Sequence, residues 1–283
     1  MLFRAVSMAN SKAAVHMADV PGALMPIPSQ PGRAWRRSQR IETAVGRCQE
    51  RPAAWITARL SLLRKRVCCL NAMPVKVKIC GITNVPDGLA SAEAGADALG
   101  FVFYERSPRH VRVDAAAHVI RELPPFVMKV GVFVNAPEDL VLRAAHECGL
   151  SLLQFHGDES PEYCLQFGLM CMKAFRVRDT ASLRAALDYH TDAWLFDAYT
   201  PGQPGGTGET FNWDIALQAH DWGRPVFLAG GLTPENVAEA VRRARPYAVD
   251  VSSGVEAAPG KKDHAKVRAF IQAAKGAGDP MRP

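Results

Sequence analysis

From Val75 onward, short apolar runs alternate eight times with stretches of helical periodicity. A strand that returns through a helix to the next strand lies parallel to it, so this alternation calls for a parallel sheet covered by helices. The first run, Val75-Lys76-Val77-Lys78-Ile79-Cys80, alternates Val75, Val77 and Ile79 with Lys76, Lys78 and Cys80, a period of two. Gly81 breaks it, and Thr83 or Asn84 suits the cap of a helix running to about Ala94. Further strands are expected at Ala98–Phe103, Phe126–Val134, Leu152–Phe155, Met172–Arg176, Ala193–Phe196, Pro225–Ala229 and Ala248–Val251. Helices are expected over Asp114–Leu123, from Pro137 to Cys148, and over Pro161–Phe167, Ala181–Tyr189, Pro234–Arg243 and Asp263–Ala274.

Eight strand–helix units in roughly 200 residues suit a compact (β/α)8 barrel. An open doubly wound sheet is the alternative. That fold usually carries Gly-x-Gly-x-x-Gly after its first strand, and Cys80-Gly81-Ile82-Thr83 is unlike it. The expected class is therefore α/β: a single barrel over residues 74–276, a basic and disordered extension over 1–73, and a disordered tail over 277–283.

The formal net charge of +6 is unevenly spread. Residues 1–73 hold twelve Lys/Arg against three Asp/Glu, and the remainder holds 22 against 25. The basic segment, with Arg33, Arg36, Arg37, Arg40 and Arg64-Lys65-Arg66, lacks sustained periodicity beyond a weak helical pattern from Ala53 to Leu63. A transit peptide would have more serines and a cleavage signal. A nucleic-acid arm would carry more aromatics than Trp35 and Trp55 and a recognisable motif. A disordered or artefactual extension is the plainer reading, since Met73-Pro74 would make a natural start ahead of the first strand. The seven cysteines show neither a C-x-x-C pair nor zinc-ligand spacing, which suits a reducing cytoplasm. No apolar run reaches the roughly 18 residues of a membrane helix.

In parallel barrels, ligands bind where strands end and loops begin. Ala229-Gly230-Gly231-Leu232 and Val251-Ser252-Ser253-Gly254 end strands seven and eight, whose loops commonly hold a phosphate. Gly230, Gly231 and Gly254 allow close backbone approach to an anion, and Ser252 and Ser253 add hydroxyl donors. A glycine pair can equally be a simple turn. The glycine-rich segment after strand six, which includes Gly208, is either a connector or a wall of the substrate pocket; Glu209 stands where a P-loop has its lysine. Asp197 ends strand six, as a loop anchor or an acid–base group. Cys80 ends strand one, as a buried filler or a reactive thiol. His156 follows strand four, where it suits loop packing or hydrogen bonding behind a substrate. Arg109, after strand two, is either a solvated loop residue or a fork for a substrate carboxylate.

Taken together, Lys78-Ile79-Cys80-Gly81-Ile82-Thr83, Gly100-Phe101-Val102-Phe103, Ser107-Pro108-Arg109, Gly131-Val132-Phe133-Val134, Gln154-Phe155-His156-Gly157, the Gly205-to-Trp213 loop and Val249-Asp250-Val251-Ser252-Ser253-Gly254-Val255-Glu256 resemble the phosphoribosylanthranilate isomerases of tryptophan biosynthesis. The resemblance runs from Val75 to about Lys275, with Phe155 where the family more often has Leu. It implies a cofactor- and metal-free Amadori rearrangement of N-(5-phosphoribosyl)anthranilate to 1-(o-carboxyphenylamino)-1-deoxyribulose 5-phosphate. On this resemblance Cys80 is the general base, Asp197 the general acid, Arg109 the holder of the anthranilate carboxylate, and the loops after strands seven and eight the phosphate site. His156 and Gly208 join the substrate-binding set. A thiol and an aspartate start in the wrong protonation states at neutral pH. A nearby cation or backbone donors are therefore expected to favour the thiolate, and partial burial to keep Asp197 protonated.

The implied partner is a phosphorylated small molecule, with no nucleic acid or membrane, bound by a monomer or homodimer. Three rival readings remain. Indole-3-glycerol phosphate synthase would show a catalytic lysine near the end of strand one, where this chain has Cys80. A nucleic-acid-binding protein would depend on residues 1–72. A non-catalytic scaffold barrel would have no use for both Cys80 and Asp197.

Overall fold

A computed structural model of the chain describes residues 74–198, 213–219 and 222–277. The expected extension over 1–73, the tail beyond Ala277 and the loop holding Gly208 lie outside the described residues. Strands β1 (Lys76–Cys80), β2 (Ala98–Val102), β3 (Met128–Phe133), β4 (Leu152–Phe155), β5 (Cys171–Val177), β6 (Ala193–Ala198), β7 (Val226–Ala229) and β8 (Ala248–Val251) form a closed barrel in chain order. Every neighbouring pair is parallel, and β8 returns to pair with β1.

The helices follow in turn: α1 (Val85–Glu93), α2 (Val113–Arg121), α3 (Glu138–Cys148), α4 (Pro161–Leu165), α5 (Thr180–Arg184), α6 (Trp213–Gln218), α7 (Val237–Ala244) and α8 (His264–Ala277). Asn84 caps α1 through its side chain, Ser160 caps α4, and Asp179 forms a capping box with Ser182 on α5. The expected single helix to Tyr189 is a short α-helix continued by a 3-10 turn over Ala185–Asp188. Helix α7 begins later than Pro234 suggested, because Asn236 Oδ1 accepts from Thr233 N and holds 233–236 as a turn. Two features went unread in the sequence. One is α6, directly after the glycine-rich segment. The other is an antiparallel hairpin, β9 (Glu256–Ala258) with β10 (Lys261–Lys262), that leads into α8.

Apolar side chains occupy two layers. Val77, Ile79, Leu99, Phe101, Leu153, Phe155, Phe196, Leu228 and Val249 pack outward against the helices. Ala98, Val130, Leu152, Met172, Ala174, Leu195, Phe227 and Ala248 fill the barrel. The alternation in β1 therefore has an unusual meaning. Its apolar face meets the helices, and the face bearing Lys78 and Cys80 looks into the barrel, where Lys78 is fully buried.

Asp87, on α1, joins the start of the barrel to its end. Its carboxylate accepts from Lys262 N (2.8 Å), His264 Nε2 (2.8 Å) and Asn84 Nδ2 (2.8 Å). Burial opposes its ionisation, but these donors win and hold Asp87 below the usual carboxylate range. Asp87→Ala strands buried donors and should cost about 1–3 kcal/mol, measurable by urea unfolding. The sign with pH follows from the lowered value: the contribution is present at neutral pH and fades as pH falls through the acid range below about 4. An Asp87→Ala protein as stable as the parent at pH 7 would contradict this role.

Candidate active site

Cys80 is the last residue of β1, and Asp197 is the penultimate residue of β6. Both therefore lie at the C-terminal rim. Cys80 follows Lys78 on the inward face of β1, and Asp197 follows Leu195 on that of β6. In the closed ring the two strands are separated by β7 and β8, so thiol and carboxyl approach the mouth from different sides.

Beneath Cys80 lies a buried ion pair. Lys78 and Asp250 are register partners on β1 and β8, and Lys78 Nζ donates to Asp250 Oδ1 at 2.9 Å. Lys78 also interacts electrostatically with the Cys80 sulfur. Gly100, the partner of Cys80 on β2, leaves the space they need. A Cβ there would stand 2.9 Å from Cys80 Sγ and 3.1 Å from Lys78 Nζ. Burial works against charge on Lys78, but Asp250 and the sulfur outweigh it and hold the ammonium above the ordinary lysine range. For Cys80, burial dominates and pushes the thiol up; Lys78 and Lys262 oppose it, Asp250 reinforces it, and the net shift is upward. The expected cations are present, but burial outweighs them.

The hairpin continues this network. Ser252 Oγ donates to the Cys80 carbonyl (3.2 Å), and Lys262 Nζ donates to Ser252 O (3.2 Å) and Glu256 Oε1 (2.9 Å). The hydroxyl hydrogen of Ser252, expected for a phosphate, is thus directed at Cys80. Arg109 lies over the turn after β1, where Gly81 has φ +81 and a Cβ would meet Arg109 Cδ at 2.7 Å. The Arg109 fork is held by Glu256, with Nε on Oε1 at 2.8 Å and Nη2 on Oε2 at 2.7 Å. Burial disfavours the Glu256 carboxylate, yet Arg109 and Lys262 keep it below the usual range. Arg109 is thereby oriented, with Nη1 outside the pairing.

On the β4–β6 side, His156 Nε2 lies 3.3 Å from Asp197 Oδ2, and His156 Nδ1 lies 3.1 Å from Gln154 Nε2. The loop carrying His156 is anchored by buried Glu159. That carboxylate accepts from Asn135 N (2.8 Å), Gly157 N (2.9 Å) and Lys173 Nζ (3.1 Å). His156 thus backs the carboxyl instead of only packing a loop. Arg176, register partner of Asp197 and on the inward face of β5 after Met172 and Ala174, adds a cation to this side.

The loops after β7 and β8 meet at the rim. Gly230 and Gly231 adopt φ of 87 and 65, which glycine tolerates without strain. A Cβ on Gly254 would run into the Leu232 carbonyl, so only glycine lets the two loops touch. Ser253 opens a 3-10 turn, Ser253–Val255, directly after β8. Gly208 lies outside the described residues. Sequence reasoning missed Lys78, Asp250, Lys262, Gln154 and Arg176 as parts of the site. For all but Lys262, which lies on the hairpin, a charged or amide residue at an inward position of a barrel strand was the available signal.

Among the described residues, no cluster of three His, Cys, Asp or Glu is placed to hold a metal, and no helix is long and apolar enough to cross a membrane. The architecture is that of a (β/α)8 barrel with a thiol, a carboxyl and glycine-rich loops around one rim. Residues 77–273 match the family model described as N-(5'phosphoribosyl)anthranilate (PRA) isomerase. An N-(5'-phosphoribosyl)anthranilate isomerase of Citrifermentans bemidjiense is 60% identical over 200 residues, covering 71% of this chain and 97% of its own. One from Geobacter sulfurreducens is 57% identical over 202 residues, covering 71% and 99%. The solved phosphoribosyl anthranilate isomerase of Thermotoga maritima superposes with TM-score 0.69 at 47% identity, covering 71% of this chain and 99% of that one. A solved enzyme in complex with reduced 1-(o-carboxyphenylamino)-1-deoxyribulose 5-phosphate gives TM-score 0.66 at 44% identity over the same shares. The chain belongs to the N-(5'-phosphoribosyl)anthranilate isomerase family.

The raised Cys80 thiol gives a testable result. Iodoacetamide labelling of the substrate-free protein, followed by peptide mapping, should modify Cys80 slowly at pH 7 and faster as pH rises past the ordinary thiol range of about 8.5. Fast labelling at pH 7 would mean that the thiolate already exists in the empty site.

Proposed function

We propose that this chain opens the furanose of N-(5-phosphoribosyl)anthranilate and carries it to 1-(o-carboxyphenylamino)-1-deoxyribulose 5-phosphate, with Cys80 as base and Asp197 as acid. The observation that carries this assignment is the placement of one thiol and one carboxyl on different sides of a single barrel mouth. Asp197 gives a proton to the ring oxygen as the C–O bond breaks, leaving a protonated Schiff base. Cys80, as thiolate, then removes the proton from the adjacent carbon, and the resulting enolamine becomes the ketone. One proton is given and one taken, so the product is an isomer.

The raised thiol fits this order of events. Ring opening creates a positive charge beside Cys80, and that charge adds to Lys78 and Lys262 in favouring the thiolate. Arg109, held by Glu256, presents Nη1 to the anthranilate carboxylate. Gly230, Gly231, Ser253 and Gly254 offer backbone and hydroxyl donors to the phosphate, with Ser252 fixing the Cys80 loop behind them and Gly208 on the segment beyond β6. The setting is a reducing cytoplasm, and the active unit is a monomer or a homodimer. A solved Thermotoga maritima relative, 43% identical with TM-score 0.65 and covering 71% of this chain and 99% of its own, is described as a monomer generated from a dimeric enzyme.

Cys80→Ala and Asp197→Asn should each lower kcat by at least about 10²-fold with KM little changed, measured by product formation from phosphoribosylanthranilate. Near-normal turnover in either variant removes that residue from its role. Arg109→Lys should instead raise KM by about tenfold, since an ammonium cannot reproduce the guanidinium fork; an unchanged KM would leave Arg109 as a mainly structural partner of Glu256.

A further inference from the structure

Gln154 is 1% exposed inside the barrel, and its Oε1 is the buried side-chain oxygen left without a hydrogen-bond partner among the described residues. Its Nε2 lies 3.1 Å from His156 Nδ1, while His156 Nε2 lies 3.3 Å from Asp197 Oδ2. Amide oxygen and nitrogen are distinguished only by their hydrogen bonds. Exchanging them pairs the amide oxygen with a donor, His156 Nδ1–H, and leaves the unpartnered place to the amide nitrogen. With Nδ1 protonated, Nε2 and Oδ2 would face each other lone pair to lone pair unless a proton sits between them.

We infer that Gln154, His156 and Asp197 act as a unit that stores the ring-opening proton between His156 Nε2 and Asp197 Oδ2, with His156 and Gln154 as positioning residues. The inference rests on Asp197 being the acid. It answers what burial cannot, since the Asp197 side chain is 31% exposed. A carboxyl at hydrogen-bonding distance from an imidazole can share a proton with it, which an isolated carboxyl cannot. In the step itself the proton moves from the pair to the ring oxygen, which keeps the electron pair of the broken C–O bond. The exposed pair then reloads from solvent. Other charges around it are the Lys173–Glu159 ion pair and Asp158 beside the His156 loop, and Arg176 next to Asp197 on β5. Lys173 is bound to Glu159, Phe155 O and Gly157 O. No second carboxylate is recorded against His156 among the described residues.

The test compares pH profiles of kcat for the parent, His156→Asn and Gln154→Leu. Asparagine keeps a hydrogen-bond donor but cannot carry the proton, and leucine removes the amide while preserving bulk. The deficit of His156→Asn should widen from a few-fold at pH 5 to at least about tenfold at pH 8, and that of Gln154→Leu should widen in the same direction. A pH-independent deficit in both, or none, overturns the inference. Nitrogen-15 NMR of histidine-labelled protein, with His156 assigned by its absence in His156→Asn, supplies a readout without turnover. It should show Nδ1 protonated from pH 5 to 8; an unprotonated Nδ1 overturns the inference. Asp197→Asn separates the two levels. If it keeps full activity the acid assignment fails, whereas a flat profile in the His156 variant alongside an inactive Asp197→Asn leaves that assignment standing and removes only the shared proton.

Discussion

Lys78 and Asp250 meet inside the barrel where an apolar layer would ordinarily fill the space. Placing two charges there is costly unless each satisfies the other, and the 2.9 Å contact between register partners does so. The pair ties β8 to β1 across the seam that closes the barrel. It also sets the surroundings of Cys80, one turn of the pleat above. Gly100 has no side chain because those of Lys78 and Cys80 already occupy its place. The same contact that closes the barrel therefore places an ammonium group under the sulfur.

Around that pair the site divides into two halves of different character. On the β1–β8 side, the polar groups are paired: Lys262 with Glu256, Glu256 with the Nε and Nη2 of Arg109, and Ser252 with the Cys80 carbonyl. These contacts hold the base and the arginine rigidly. On the β4–β6 side, His156 and Asp197 are partly exposed, and His156 rests in turn on the buried Gln154 amide. A matched network suits a group that must stay in place. A site with solvent access suits a group that must lose and regain a proton.

The strands were legible because each combines an outward apolar face with a short length and a clear break, and all eight lie within two residues of their expected ends. Helix ends were less legible. Side chains such as Asn236 and Asp179 bend the backbone locally, and those hydrogen bonds depend on geometry as well as residue type. The β9–β10 hairpin was missed because its strands are too short for periodicity to register. Its Glu256 and Lys262 matter through contacts with Arg109 and Ser252, well separated in the chain from one or both of them.

The sequence by itself determined the eightfold repeat, the rim position of Cys80 and Asp197, and the family likeness, because all three follow from local pattern and motif order. Only the tertiary structure decided that Lys78 points at Asp250, that Glu256 holds the Arg109 fork, and that His156 stands against Asp197. Those pairings join residues as many as 172 positions apart, and only closure of the barrel brings them together. The protonation of the thiol was likewise out of reach of the sequence, since it depends on how far burial outweighs the cations that folding places beside it.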